Sequence, residues 1–274
     1  MIGQSYGSIW FIGCGNMGGA ILQAWIDKGL DLTKVTVIKP SASALPGGLQ
    51  SRSDYPDSPP PDLVILAMKP YQLDIVAEQL APRIAADSQI VSILAGTEID
   101  MLRQAFPQAG EIIRLMPNMA VTVAKSPMLL ISESGEAAVK DQMNELFAPL
   151  GPPEWLANED LMHIATALSG SGPAFLFRFI DALAVSANQL GMDQEQAARL
   201  ALTMVDGAAT LAAISDVDPG ALANQVASPN GVTRKGLDVL DADDRVNRLL
   251  QDVLRAAMER NREMAEEAKT ASAP

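Results

Sequence analysis

The chain has 274 residues, of which 20 are Lys or Arg and 33 are Asp or Glu, so its formal net charge at pH 7 is −13. A single cysteine, Cys14, and a single histidine, His163, exclude an internal disulfide and metal sites built from several Cys or His ligands, so we expect no bound metal. The acidic balance argues against nucleic-acid binding. We find neither a strongly apolar run of membrane-spanning length nor a signal peptide, which predicts a cytoplasmic protein without a membrane partner.

The N-terminal part of the chain alternates between strand-like and helical segments. Continuous apolar, β-branched runs are typical of strands buried on both faces of a parallel sheet. They occur at residues 9–12, 35–38, 63–67, 90–94, 112–116 and 128–131. Helices are predicted between them at residues 18–28, 71–80, 98–106 and 136–150. This alternation predicts a doubly wound α/β layer.

Two local features of this part carry further expectations. The segment at residues 41–61 is rich in Pro and Gly, and we interpret it as a loop. Thr97, with Asp100 three residues later, predicts a cap for the helix at residues 98–106.

The pattern changes near residues 151–158, after which every segment has helical periodicity. Helices are predicted at residues 159–167, 173–190, 194–214, 219–227, 232–240 and 243–269, with Asp193 and Asp218 as N-caps. The second and third of these helices are apolar nearly all round, and such a helix must be buried on every side. We therefore predict that a second subunit covers them. The alternative is a compact packing within the monomer.

A glycine-rich turn follows the first predicted strand and opens the first predicted helix. It has the G-x-G-x-x-G pattern and consists of Gly13, Cys14, Gly15, Asn16, Met17 and Gly18. In this context the pattern is typical of dinucleotide binding. Gly13 permits the tight turn, Gly15 lets the backbone approach a pyrophosphate, and Gly18 lets the helix pack on the strand. The alternative is a strand–helix turn without a ligand.

The ends of the later strands carry residues suited to the same cofactor. Lys39 and Ser41 follow the second strand, where NAD enzymes usually have a carboxylate, and they suit a 2′-phosphate. This favours NADP(H) over NAD(H), although a solvent-exposed lysine is the alternative. The turns after the next two strands contain Ala67, Met68, Lys69, Pro70, Ala95 and Gly96. Small residues at the second of these turns leave room for a nicotinamide ring. Asn118 follows a further strand and either binds a ligand or caps the next turn.

A second candidate binding turn lies in the helical part. It contains Ser228, Asn230, Gly231, Val232 and Thr233 and leads into a predicted helix. A Ser-Pro-x-Gly turn that enters a helix points several backbone N–H groups in one direction, and such a nest binds a carboxylate without a basic side chain. The hydroxyl of Thr233 is then near the same pocket. The alternative is an ordinary N-capping loop.

Taken together, these segments resemble the pyrroline-5-carboxylate reductase family. The resemblance covers nearly the whole chain in order, and its most specific parts are the Ser-Gly-Ser-Gly-Pro-Ala run at residues 169–174 and the turn at residues 228–233. It implies an α/β fold with an N-terminal Rossmann-type NAD(P)-binding domain, residues 1–157. An all-α dimerisation and substrate-binding domain, residues 158–274, follows. It also implies a homodimer, which in this family often assembles into a ring of dimers, with the helical domain of one subunit completing the other's cleft.

The resemblance also implies the reaction, which is the NADPH-dependent reduction of the cyclic imine 1-pyrroline-5-carboxylate to L-proline, the last step of proline biosynthesis. NADH is the alternative reductant. The substrate carboxylate would bind the backbone amides of residues 230–233, and the Thr233 hydroxyl would hydrogen-bond the ring nitrogen. Asp216 occupies a position that often carries a carboxylate near the substrate. Asn230 stands where a glycine is usual, and we expect the turn to survive because Asn tolerates positive φ.

Two other functions fit the same fold. A 3-hydroxyacid dehydrogenase of the 6-phosphogluconate type needs a lysine acid/base on the helix after the Gly-rich break. That helix has Arg178 instead, and the next lysine is Lys235. A non-catalytic NADP(H)-binding regulator would share the fold but would have no use for a second anion site at residues 228–233. The reductase is therefore the predicted function.

Overall fold

The computed structural model describes residues 3–41 and 44–271. It consists of two compact units, which we describe separately. The sheet unit comprises Met1–Ser171 and Ala257–Pro274, and the helical unit comprises Gly172–Ala256. The sequence places the boundary between residues 157 and 158, whereas the sheet unit continues to Ser171. The physical reason is that Met162 is buried against Leu129 and Ile131 of the sheet.

The sheet unit is built on eight strands in the order β3-β2-β1-β4-β5-β6-β7-β8. All neighbouring pairs are parallel except β6 and β7, which are antiparallel. The strands are β1 (Ile9–Ile12), β2 (Val35–Ile38), β3 (Ser51–Arg52), β4 (Leu63–Leu66), β5 (Gln89–Ser92), β6 (Glu111–Met116), β7 (Met128–Ser132) and β8 (Pro153–Trp155). The strand order reverses at β1, which lies between β2 and β4.

Among the described residues of the sheet unit there are five α-helices, together with the end of the last helix of the chain. They are α1 (Asn16–Asp27), α2 (Leu73–Leu80), α3 (Ile99–Ala105), α4 (Ala137–Phe147) and α5 (Glu159–Ala165). Alternate side chains of β1 pack in two different cores, one on each face of the sheet. Phe11 packs in a core with Trp25 of α1 and Phe147 of α4, and Trp10 packs in a second core with residues of α2 and α3. The predicted doubly wound α/β layer is therefore confirmed.

Two short strands are missing from the sequence-based prediction. The segment predicted as a loop contains β3, which pairs in parallel with β2 through Val37 and Ser51. The last strand, β8, begins with Pro153 at the edge of the sheet beside β7. Strands of two or three residues are too short to leave a period-2 pattern. Proline has no N–H to donate, and an edge strand tolerates it because the backbone groups on the outer side have no partner strand.

The predicted cap of α3 is wrong. No side chain within the turn caps this helix, which begins after Glu98. The amide of Ile99 instead donates a 3.0 Å hydrogen bond to Oε1 of Glu159, in the first turn of α5. The other oxygen of Glu159 pairs with the buried guanidinium of Arg114 on β6. A side chain from a distant helix has thus taken the place of a local cap.

The helical unit contains four complete helices and the start of a fifth. They are α6 (Gly172–Gln189), α7 (Gln194–Ile214), α8 (Pro219–Val226), α9 (Val232–Asp241) and α10 (Arg245–Ala271). The predicted N-caps are confirmed, because Asp193 accepts from the amide of Gln196 at 2.9 Å and Asp218 accepts from the amide of Ala221 at 3.0 Å.

The two apolar helices α6 and α7 pack on each other but leave most of their apolar side chains exposed. Phe177 is 67% exposed and Ile214 is 77% exposed, while only Ala197 and Ala201 of α7 are buried.

Within the described residues, Glu159–Gln189 and Gln194–Ile214 are long and apolar enough to cross a membrane by length and composition. This corrects the expectation that no such run exists. His163 and the Gly-Ser segment interrupt the first run less than the sequence suggests, because in that run only Ser171 is neither α-helical nor π-helical.

Candidate active site

A cleft of about 880 Å³ lies in the sheet unit at the carboxyl ends of the strands. Its walls are the turn from β1 into α1, the residues after β2, the turn after β4 and the turn after β5. These elements surround the point where the strand order reverses, and open α/β sheets bind their ligands at this point.

The three glycines of the turn after β1 have different surroundings. Gly13 has a φ of +80°, and a Cβ there would lie 2.8 Å from the carbonyl oxygen of Ala67. A Cβ on Gly18 would lie 2.8 Å from the Cβ of Ala67, so α1 packs closely on β4. A Cβ on Gly15 would have no atom within 4 Å. Gly13 and Gly18 therefore have the structural roles that the sequence predicts, and Gly15 faces open space.

The turn ends at the free N-terminus of α1. No side chain caps this helix, and its first turn contains no acidic residue. The first amides of a helix have no partner within it, and the helix dipole adds partial positive charge. The open face of Gly15 therefore has a geometry that suits a phosphate group.

The charged residues among the described lining of the cleft are Lys39 and Lys69, and no carboxylate lies among them. This local positive charge stands in a chain with a net charge of −13, so it marks the place where an anion is attracted at short range. The thiol of Cys14 is half-buried in the same turn. Burial raises its pKa, and the positive charge of Lys39 only partly opposes this, so the thiol is neutral at pH 7.

Most of the predicted cofactor-binding residues come together in the cleft. Those that line it are Gly13, Cys14, Gly15, Asn16, Met17, Gly18, Lys39, Ala67, Met68, Lys69, Pro70 and Ala95. Two predicted residues are absent from the lining. Ser41 is exposed and its carbonyl accepts a 3.4 Å hydrogen bond from Ser51. Gly96 faces the backbone of Met264 in α10.

Sequence reasoning missed part of the cleft. The additional lining residues include Ser53 and Tyr55, which follow β3, and Gln72, Ile75, Val76 and Gln79, which lie in or just before α2. Tyr55 packs against Trp10, with 6.1 Å between the ring centroids, and the guanidinium of Arg83 lies 5.0 Å from its ring centre. Burial raises the pKa of the Tyr55 hydroxyl. In the sequence, the only indication of this part of the cleft is Tyr55, a single aromatic residue in the polar, Pro-rich segment at residues 41–61.

Asn118 caps a turn, as one of its two interpretations predicts. Its Oδ1 accepts from the amide of Ala120 at 2.8 Å. Its Nδ2 donates to the carbonyl of Ser169 at 2.8 Å. Ser169 lies in a π-helical segment, Thr166–Gly170, which occupies the predicted break before α6.

In the helical unit, the candidate substrate turn has the predicted backbone. Asn230 adopts a φ of +59°, and the amide of Gly231 donates to the carbonyl of Ser228 at 2.9 Å. A Cβ on Gly231 would overlap the hydroxyl of Ser228 and lie 3.0 Å from its carbonyl oxygen, so a side chain there would require Ser228 to shift. No side chain caps α9, which begins at Val232, so its first amides are free to bind an anion. Thr233 is exposed in this first turn, and Asp216 is exposed in the turn between α7 and α8.

Comparisons with known proteins match both parts of the chain. Residues 159–264 match the family model described as pyrroline-5-carboxylate reductase dimerisation. Residues 8–96 match the model described as NADP oxidoreductase, coenzyme F420-dependent. A curated pyrroline-5-carboxylate reductase of Methanosarcina acetivorans is 33% identical over 266 residues, which cover 93% of this chain and 97% of that protein.

Two solved structures extend the likeness to three dimensions. A pyrroline-5-carboxylate reductase from Coxiella burnetii has a TM-score of 0.85 at 29% identity, covering 94% of this chain and 98% of that one. The crystal structure of Plasmodium falciparum pyrroline carboxylate reductase with NADP bound has a TM-score of 0.78, also covering 94% and 98% of the two chains. At 24% identity, the second likeness shows the fold alone.

Proposed function

The chain belongs to the pyrroline-5-carboxylate reductase family, and we propose from that premise that it reduces 1-pyrroline-5-carboxylate to L-proline with NADPH. The observation that carries the proposal is the presence in one chain of two turns whose backbone suits an anion. The turn at Gly13–Gly18 suits a dinucleotide, and the turn at residues 228–233 suits a small carboxylate. A protein that only senses nucleotide has no need of the second.

We propose NADPH rather than NADH as the cofactor. The two lysines and the lack of a carboxylate among the described lining residues support a ligand with an extra phosphate, because a carboxylate after β2 would repel the 2′-phosphate. The N-terminus of α1 would hold the pyrophosphate, and Lys39 with Ser53 would lie towards the adenosine end. When bound, NADPH supplies the hydride that the reduction needs.

The substrate residues are Ser228, Asn230, Gly231, Val232 and Thr233. We propose that the carboxylate accepts hydrogen bonds from the free amides at the start of α9, in the turn that Asn230 and Gly231 shape. The hydroxyl of Thr233 hydrogen-bonds the ring nitrogen and orients the imine, which is a better electrophile when it is protonated. From the family resemblance, we propose that the carboxylate of Asp216 lies near the substrate and favours that protonated form.

The oligomer that covers α6 and α7 is a homodimer. Its support is the exposure of Phe177, Leu190 and Ile214, each more than 60% accessible, together with the dimerisation model that matches this part of the chain. A second subunit also accounts for two helices that are apolar enough to cross a membrane, because a subunit interface removes apolar side chains from water just as a membrane would. We place the protein in the cytoplasm and, from the family resemblance, propose that dimers assemble into rings and that each active site is shared between subunits.

Steady-state assays of cofactor consumption test the reaction class. We expect NADPH oxidation with pyrroline-5-carboxylate and no NADP⁺ reduction with simple 3-hydroxyacids, because α6 carries Arg178 and a guanidinium does not exchange protons near neutral pH. Turnover with the hydroxyacids alone would establish the dehydrogenase instead. Tight NADPH binding without any turnover would establish a regulator.

A further inference from the structure

The last helix of the chain returns to the sheet unit and packs against a wall of the cofactor cleft. The part of α10 from Ala257 onward belongs to the sheet unit. Ala265 in this part is 1% exposed. Gly96, in the turn after β5, has a φ of +72°, and a Cβ there would lie 3.2 Å from the carbonyl oxygen of Met264 and 3.4 Å from the amide nitrogen of Ala265. The turn and the helix thus meet backbone to backbone.

Polar side chains near Gly96 also contact this part of α10. They are Glu98, two residues after Gly96, and His163 of α5. Oε2 of Glu98 lies 3.0 Å from Nζ of Lys269, and its Oε1 lies 3.8 Å from Nε2 of His163. Nδ1 of His163 is 3.1 Å from Nδ2 of Asn261. Burial lowers the pKa of His163, and the nearby Glu98 only partly opposes this, so the ring is neutral and can accept from the Asn261 amide. Glu98 is therefore linked to α10 directly, through Lys269, and His163 is linked to α10 through Asn261.

The turn between β5 and α3 has two faces. Ile93, Leu94 and Ala95 line the cofactor cleft, whereas Gly96 and Glu98 contact α10. Thr97 is 1% exposed between them. Any movement of α10 away from this turn would remove the backing of the wall that Ala95 forms, and the tight packing of a protein interior transmits such a shift.

We propose that the C-terminal segment of α10, residues 257–271, is a positioning element of the cofactor site. Docked against Gly96 and Glu98, it sets the turn at residues 93–97 so that the nicotinamide end of NADPH fits beside Ala95. The inference rests on the proposed function for the identity of the ligand. Because coupling between two binding events is reciprocal, NADPH must in turn hold the segment in place.

The test uses a substitution that disturbs the docking without touching the cleft. In the full-length protein, Ala265→Leu overfills the space in which Ala265 is buried, next to the backbone contact with Gly96, and Glu263→Leu places the same side chain on the exposed side of the same helix. We expect Ala265→Leu to raise the Kd for NADPH about tenfold. Glu263→Leu should change it less than about twofold, as surface substitutions usually do. Both variants should keep the oligomer mass of the wild type.

Nucleotide binding is measured by fluorescence without substrate, so a failure of imine reduction leaves this test intact. An Ala265→Leu variant that binds NADPH as the wild type does overturns the proposal and leaves the proposed function standing. A wild type that binds no NADPH overturns both. If Ala265→Leu does not fold, amide hydrogen exchange of the wild type, measured with and without NADPH, tests the proposal instead. NADPH should slow the exchange of amides in residues 257–269, and equal exchange with and without NADPH overturns the proposal.

Discussion

Gly13 and Ala67 lie so close together that no side chain fits between them. A Cβ on Gly13 would be 2.8 Å from the carbonyl oxygen of Ala67 and 2.8 Å from the amide nitrogen of Met68, and the φ of Gly13 is +80°. Gly13 follows β1 and Ala67 follows β4, so this contact holds the glycine-rich turn at the point where the strand order reverses.

Gly13 and Gly15 are expected to respond differently to the same substitution. Gly13→Ala requires a strained φ and a backbone shift, so it should lower the free energy of unfolding by about 1–3 kcal/mol. Gly15→Ala adds a methyl group to open space and should leave the Tm unchanged, while NADPH binding weakens about tenfold because the pyrophosphate can no longer approach the backbone. Thermal denaturation and fluorescence titration measure the two effects. Unchanged NADPH binding in Gly15→Ala would contradict the placement of the pyrophosphate.

Lys39 is expected to select NADPH over NADH. Lys39→Glu replaces the cation after β2 by the carboxylate that NAD enzymes usually have there, so the preference for NADPH over NADH, measured as the ratio of the kcat/KM values, should fall about tenfold to a hundredfold. Lys28→Glu makes the same charge change at the end of α1, outside the cleft lining, and serves as the control. An unchanged ratio in Lys39→Glu would remove Lys39 from the 2′-phosphate site.

Thr233 is expected to act in the chemical step. Thr233→Ala removes the hydroxyl that orients the imine nitrogen, so kcat should fall about a hundredfold. The KM for NADPH should change little, because the residue lies in the helical unit and not in the cofactor cleft. Thr233→Ser keeps the hydroxyl and should restore most of the activity. A variant that raises the KM for NADPH while it keeps kcat would place Thr233 outside the mechanism.

The exposed face of α6 is expected to be an interface between subunits. Phe177→Asp puts a charge into that interface, so light scattering at micromolar concentration should give the mass of a monomer, whereas the wild type gives at least a dimer. Val123→Asp changes a residue of similar exposure in the sheet unit and should leave the oligomer intact. A monomeric wild type would refute the argument from the two apolar helices.

The regular elements of the fold were predictable because their patterns are strong. The buried runs of β1 and β2 and the whole of α7 have the bounds that the sequence predicts. β3 was not predictable, since its two residues are ordered by pairing with β2 rather than by their own propensity. The cap of α3 failed for a related reason, because Glu159 comes from a helix far along the chain.

The candidate site was predictable where local backbone geometry decides. Gly13 and Asn230 have the positive φ that their residue types favour, and Gly13 and Gly18 pack so closely against Ala67 that a Cβ does not fit. Gly96 was assigned to the cofactor, although its close neighbour is the backbone of Met264. A contact between residues so far apart along the chain produces no local pattern from which a single sequence could predict it. The wall formed by Ser53 and Tyr55 was missed because it depends on β3.

The transfer of deuterium from NADPH to the product tests the central claim most directly. The enzyme is incubated with pyrroline-5-carboxylate and NADPH that carries deuterium at both positions of the nicotinamide C4, and the product is analysed by mass spectrometry and chiral chromatography. We predict L-proline with one deuterium on the ring carbon that was the imine carbon. NADPH consumption without labelled proline would contradict the account, and so would the absence of L-proline.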